Sequence, residues 1–250
     1  MTYILVTNDD GVHAPGILAL TQAMKTIADV NVVAPAANQS ASGHKKTLFQ
    51  DMAISRPEMA DGTAAVAVDG SPADCIAVAA LGLVEWPPRM VVSGINRGAN
   101  MAQDVTQSGT VSAALEATLH AVPGIAFSLD NHDADQPEHY ATASRVAAQI
   151  VRNLLDKELP PFTVINVNVP NTDDIRGIRL TRQGVRVYRD ELHLEDQLAR
   201  IMGDPPTGRL DEAGTDLWAV HRNYVSITPI HLDMTAHHFM ADVAAWDLQL

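Results

Sequence analysis

The 250-residue chain carries 17 Lys and Arg against 30 Asp and Glu, a net charge of −13, and is 46% hydrophobic. That composition supports a sizeable buried core and argues against disorder, while the acidic balance argues against the broad basic face that long nucleic acids or anionic membrane surfaces require. An anionic ligand would therefore need a local device, such as a metal ion or a helix N-terminus. The single cysteine, Cys75, excludes an intramolecular disulfide and a cysteine-based zinc site, and fits a reducing compartment. No basic-then-apolar leader opens the sequence, and no apolar run approaches the roughly 18 residues of a spanning helix, so a soluble, cytoplasmic protein is expected.

Tyr3 to Thr7 reads as a strand that stops at the turn-forming cluster Asn8-Asp9-Asp10-Gly11. Pro15 opens a helix with Ile17, Leu18, Leu20, Met24 and Ile27 at helical spacing, and Val30 to Ala34 is a second strand. Strand, helix, strand in this order implies a parallel sheet. Short alternating runs between Thr47 and Val68, around Asp61-Gly62, predict a β-hairpin or edge excursion. In Ser71-Pro72-Ala73-Asp74, Ser can cap, Pro fits the first turn and Asp favours the dipole, which predicts a helix through Leu83. Met90 to Ser93 is a third strand, followed by a loop from Gly94 to Asn100. Gly109-Thr110 opens a helix to about Leu119, Ile125 to Ser128 is a fourth strand, Tyr140 to Leu155 a helix and Thr163 to Val169 a fifth strand.

After Pro170 the pattern changes. Ile178 to Thr181, Val185 to Tyr188, Leu217 to His221 and Tyr224 to Thr228 read as shorter strands, with loops at Gly203-Asp204-Pro205-Pro206 and Gly208. The expected division is a catalytic core over residues 1–170 and a β-rich extension over 171–250 that completes the fold and mediates oligomerisation.

In open parallel sheets, ligands bind beyond the carboxyl ends of the strands. Asp9 and Asp10 follow the first strand, Ser40 follows the second, and Asn96 follows the third; Ser108, Gly109 and Thr110 precede a helix. Singly, each has an ordinary reading as a turn or capping residue. Together they place carboxylate, hydroxyl and amide oxygens, a donor set for a hard divalent cation, beside helix N–H groups suited to an anion. That combination is the equipment of metal-assisted phosphoester hydrolysis.

The run Ile4-Leu5-Val6-Thr7-Asn8-Asp9-Asp10-Gly11-Val12-His13-Ala14-Pro15-Gly16-Ile17 resembles the opening signature of the SurE survival-protein nucleotidases. Ala34-Pro35 to Asn38-Gln39-Ser40, Gly70 to Cys75, Ser93 to Asn100, Ser108 to Val111 and Tyr224 to Pro229 resemble that family's later motifs, in order and over nearly the whole chain. The resemblance implies a Rossmann-like three-layer α/β/α fold and a phosphatase acting on 5′ or 3′ nucleoside monophosphates, with short polyphosphate as a further substrate. It implies one divalent ion per subunit, Mg²⁺ or Mn²⁺, held by Asp9, Asp10, Ser40 and Asn96. Asp9 and Asp10 would also be catalytic, and Asn96, Ser108, Gly109 and Thr110 would hold the substrate phosphate. Family members form dimers or tetramers that exchange C-terminal segments. Two positions depart from the pattern: Ala41 stands where Gly is common, and Gln107 where an aromatic is common.

Three other readings of a strand followed by Asp-Asp fit less well. A receiver domain needs an acceptor Asp at the end of its third strand, where this chain has Val92-Ser93-Gly94. An aspartyl-phosphate phosphatase needs a second Asp two positions on, where Gly11 and Val12 stand. A dinucleotide-dependent oxidoreductase needs a Gly-rich loop after the first strand, which is missing.

Overall fold

The computed structural model describes residues 3–246. Its first strand, β1 (Tyr3–Thr7), is buried along its whole length. Alternation sends Ile4 and Val6 into one core and Tyr3 and Leu5 into another, so both faces must be covered, as in parallel α/β sheets. The helix α1 (Pro15–Lys25) and strand β2 (Asp29–Pro35) follow, with β2 parallel to β1. Strands β3 (Ile54–Ser55) and β4 (Val66–Val68) form the expected antiparallel excursion, with β4 parallel to β2.

The chain continues through α2 (Pro72–Val78), β5 (Met90–Arg97), α3 (Gly109–Leu119), β6 (Gly124–Asp130), α4 (Ala141–Leu154) and β7 (Thr163–Pro170). Beyond Pro170 come β8 (Ile178–Leu180), β9 (Arg186–Glu195), β10 (Leu198–Gly208), α5 (Asp216–His221), β11 (Val225–His231) and α6 (Met240–Ala244). One nine-stranded sheet runs β3-β4-β2-β1-β5-β6-β7-β11-β8, parallel throughout except where β3 and β11 enter. α1 and α4 share a core on one face, through Ile17, Leu20, Met24, Ala147 and Val151. α2 and α3 share the other, through Cys75, Ile76, Ala113 and Ala117. This is a three-layer α/β fold with a mostly parallel sheet. Among the described residues no helix is long and apolar enough to cross a membrane.

The structure departs from the sequence reading in four places. α2 ends at Val78 rather than Leu83: a wider π-type turn spans Ala79–Leu83, and Gly82 has left the helical region at φ 112°. β5 runs on to Arg97, through what reads as a loop. Its pairing with β6 slips between Ser93 and Asn96, and Gly94 at φ 131° lets the backbone pass so close to Phe127 that a Cβ would lie 2.3 Å from its carbonyl oxygen. Such a bulge bends the strand and re-aims the residues beyond it. Leu217 to His221 is a helix, because Thr215 caps it by accepting from the Trp218 N–H at 3.2 Å and Leu217 and Val220 bury one turn apart. Finally, Gly203 to Gly208 belongs to β10, paired antiparallel with β9 alone. In a two-stranded ribbon each strand has a free edge, and a register shift between Asp204 and Thr207 accommodates Pro205 and Pro206.

Buried carboxylates tie the late elements to the early ones. Asp216, fully buried, accepts from the Gly184 and Leu217 N–H groups and from the Ala102 N–H, each at 2.8 Å. Glu116 on α3 draws in the segment after Ser40: His44 Nε2 lies 2.8 Å from its Oε2, and Lys46 Nζ donates to Oε1 at 2.6 Å. Burial alone would raise the Glu116 carboxyl, yet the hydrogen bonds and charges of His44 and Lys46 overcome it and hold the group at about 2, below an ordinary 4.5. Asp74 secures the same segment by accepting from the Thr47 N–H and hydroxyl, at 2.7 and 2.8 Å.

Two stability tests follow. Asp216→Asn leaves one buried N–H facing an amide NH₂, and should cost about 1–3 kcal/mol, read as a lower urea midpoint with an unchanged slope. A depressed carboxyl pKa stabilises the fold above the unfolded pKa and loses that contribution as the pH falls through the folded value. With screening at the half-buried His44 and Lys46 allowed for, this is on the order of 2 kcal/mol. The melting-temperature gap between wild type and Glu116→Gln should therefore be widest above pH 5 and close progressively toward about pH 2.

Candidate active site

The carboxyl ends of β1, β2, β5 and β6, with the start of α3, surround an open cleft of about 660 Å³. Asp9, Asp10, Ser40, Asn96 and Ser108 all line it. The structure thus gathers residues from four separate parts of the sequence at one place.

Each is held by a local device. The Gln39 N–H donates to the Asp9 carbonyl at 2.7 Å, joining the loop after β2 to the loop after β1. The Asp9 side chain lies against the start of α3, where Thr110 Oγ1 donates to its Oδ1 at 2.5 Å. A Cβ on Gly109 would sit 2.8 Å from the Asp9 Cβ, so only glycine lets the helix begin this close. The Asp10 Oδ2 accepts from the Arg97 N–H at 3.1 Å. Asn96 follows the β5 bulge, and its Nδ2 donates to the Gly98 carbonyl at 2.8 Å, leaving Oδ1 available. Ser40 sits in an exposed turn braced by its N–H to Asn38 Oδ1 at 2.7 Å and by the Gly43 N–H to the Gln107 carbonyl at 3.0 Å. The next residue, Ala41, has φ 58°, in the left-handed region that glycine enters freely and alanine only with strain.

The start of α3 packs closely on Asp9. Thr110 is fully buried and its hydroxyl is engaged by Asp9, so it reaches the cleft through that carboxylate rather than directly. Gly109 likewise packs behind Asp9. Ser108 lines the cleft but also caps α3, accepting from the Val111 N–H at 3.0 Å. The positive end of the helix therefore first meets Asp9.

Burial is the main force on the acidic pair. It pushes Asp9 up to about 6, against the opposing hydrogen bond from Thr110 and with the charge of Asp10 adding to the rise. Asp10 is raised as well, by burial, although the Arg97 N–H and guanidinium pull the other way. Two adjacent carboxylates in this setting call for a cation. The donors there, two carboxylates with neutral hydroxyl and amide oxygens beside them, are of the kind that suit a hard one. The buried Ser42 Oγ, with no partner among the described residues, lies beside the same spot, 2.9 Å from where a Cβ on Gly109 would stand. The residues fit a divalent cation.

The cleft also contains residues from further along the chain. His132 comes from the turn after β6, Asp104 from the 3₁₀ turn Ala102–Thr106, and Arg186, Tyr188, Pro205 and Pro206 from the β9–β10 ribbon. Arg186 Nε donates to Asp104 Oδ2 at 2.7 Å and Tyr188 OH to Asp104 Oδ1 at 2.6 Å, which docks the ribbon on the cleft wall. Strand-end position could have flagged His132. No linear pattern brings residues 186–206 to residue 9.

A family model described as "Survival protein SurE" matches residues 4–190. A protein from Geobacter sulfurreducens named 5'-nucleotidase SurE is 44% identical over 252 residues, covering 98% of this chain and 94% of its own length. Another of the same name from Chloroflexus aggregans is 40% identical, covering 98% and 99%. Among solved structures, the SurE protein from Aquifex aeolicus superposes with a TM-score of 0.81 at 35% identity, covering 96% of this chain and 98% of that one. With its sequence and its fold matched nearly end to end, this chain belongs to the SurE survival-protein family.

Proposed function

We propose that this protein is a divalent-metal-dependent nucleotidase that hydrolyses nucleoside 5′- or 3′-monophosphates to nucleoside and phosphate, and that it also acts on short polyphosphate. The observation that carries this reading is the Asp9–Asp10 pair at the end of β1, with Asp9 buried against the first turn of α3 and the half-buried Asp10 beside it in the cleft. The similarity to relatives named 5'-nucleotidase SurE supports the same chemistry.

Asp9, Asp10, Ser40 and Asn96 would hold one Mg²⁺ or Mn²⁺, which supplies Lewis acidity toward the phosphoryl group and toward water. The chain does the rest. Asn96 and Ser108, with the N–H groups at the start of α3, orient the phosphate and stabilise charge on its equatorial oxygens. Gly109 keeps the helix start close to Asp9, and Thr110 acts one step back by fixing the Asp9 carboxylate. One carboxylate of the pair accepts the proton of the attacking water. In this reading the net charge of −13 is no obstacle, because the attraction for a phosphomonoester is local.

We further propose that the protein is cytoplasmic, that residues 1–170 form the catalytic core, and that residues 171–250 join copies of the chain into a dimer or tetramer by exchanging C-terminal segments. The supporting feature is apolar surface with no cover in the single chain: Leu192, Leu194, Leu198 and Ile201 on the β9–β10 ribbon, and Met234, Met240 and Trp246 beyond β11, are all exposed. Isolated hydrophobic ribbons of this kind are marginal without a partner.

Phosphate release from a panel of nucleotides should be abolished by EDTA and restored by Mg²⁺ or Mn²⁺. Asp9→Asn and Asp10→Asn should each lower kcat by more than about 10²-fold while keeping the wild-type circular dichroism spectrum. Near-normal turnover in both variants, or release indifferent to EDTA, would contradict the scheme. Light scattering should give a dimer or tetramer mass, and Leu194→Glu with Ile201→Glu should shift it to a smaller species.

A further inference from the structure

We infer that His132 is a catalytic residue that donates a proton to the departing sugar oxygen, an inference that rests on the nucleotidase reading above. A nucleoside leaves phosphorus as a strongly basic alkoxide, so a positioned acid lowers the barrier as the P–O bond breaks. Neither Asp9 nor Asp10 is free for that task if the pair binds a cation and accepts the proton from water.

The fold delivers one candidate. β6 runs parallel to β5, with Ser128 opposite Asn96 and Leu129 opposite Arg97, so both strands open on the same cleft. The chain then turns at Asn131: its N–H donates to the Leu129 carbonyl at 2.7 Å, and its Oδ1 accepts from the Asp133 N–H at 2.9 Å. This turn seats the His132 ring directly on Gly98. A Cβ at position 98 would lie 2.3 Å from His132 Cε1 and 2.5 Å from Nδ1, and Gly98 itself stands at φ 103°. The carbonyl of the same Gly98 holds Asn96 Nδ2, so ring and amide are anchored on one residue.

His132 is exposed and lines the cleft together with Asp9, Asp10 and Ser108. Two other cleft groups are committed: Tyr188 donates to Asp104, and Arg186 is paired with it. Four other histidines are paired with carboxylates, His44 and His120 with Glu116, His139 with Asp135 and His237 with Asp233, and among the described residues His132 is the histidine that lines this cleft. Imidazole is also the side chain that most often serves as a general acid or base.

The step balances. As the water oxygen bonds to phosphorus, one of its protons passes to the Asp9–Asp10 pair. The bond from phosphorus to the sugar oxygen breaks, its electron pair stays on that oxygen, and the imidazolium N–H proton moves to it. The products are the nucleoside alcohol and inorganic phosphate, and the carboxylate's proton returns to the neutral imidazole through solvent.

The test uses the metal-supplemented full chain as wild type, His132→Gln and His132→Ala, each assayed on a nucleoside 5′-monophosphate and on p-nitrophenyl phosphate, whose nitrophenolate departs without a proton. We expect kcat on the nucleotide to fall about 10²-fold in both variants and kcat on the aryl ester to change less than about 3-fold, with melting temperatures unchanged. Equal losses on the two substrates, or no loss on either, overturn the acid role while leaving the nucleotidase reading intact. A wild type that cleaves the aryl ester but not the nucleotide overturns the nucleotidase reading, and the acid role with it.

Discussion

The Asp9 carboxylate, buried against the first turn of α3, is the constraint from which the site follows. Removing a charged carboxyl from water costs several kcal/mol unless other groups compensate. Here the compensation comes from the Thr110 hydroxyl and from the positive end of α3. Both require the helix to begin almost in contact with β1, and that in turn requires glycine at 109. Burial outweighs that compensation and, with the charge of Asp10 adding to it, holds Asp9 at about 6. The cleft thus concentrates two carboxylates at one point beside a helix N-terminus.

The remaining loops are arranged around that pair. The loop after β2 is tied to Asp9 by Gln39, to α3 by His44 and Lys46 through Glu116, and to α2 by Thr47 through Asp74, so Ser40 is carried on a segment fixed at both ends. The register shift in β5 falls just before Asn96, which lines the same cleft. On the far side, Asp216 bonds the Ala102 N–H and the Gly184 N–H at once, which fixes the turn carrying Asp104 and the foot of the β9–β10 ribbon. Arg186 and Tyr188 then close the wall by way of Asp104. Buried carboxylates do this repeatedly because each can accept several N–H bonds from different segments.

Much of the core is legible in the residues. The strands at Tyr3, Val30, Ile125 and Thr163 and the caps at Ser71 and Ser108 follow from local chemistry that the tertiary structure does not override. Legibility fails where context decides. Pro205 and Pro206 read as loop, because nothing local says that their strand pairs on one edge only. Val220 and its neighbours alternate like a strand, but Thr215 caps a helix there. Nor does any local pattern announce that the Thr110 hydroxyl donates to Asp9.

The sequence by itself determined that oxygen donors would gather at the strand ends, because strand, turn and helix-start signals are local and parallel sheets place their loops on one side. Its motifs also carried the likeness to the SurE family. Only the tertiary structure decided which side chains face the cleft and which stand behind them. It alone brought Arg186 and Tyr188 beside Asp104, and it seated the His132 ring on Gly98. Those are contacts between segments far apart in the chain, set by how tightly strands, helices and ribbon pack, and no short-range pattern encodes that.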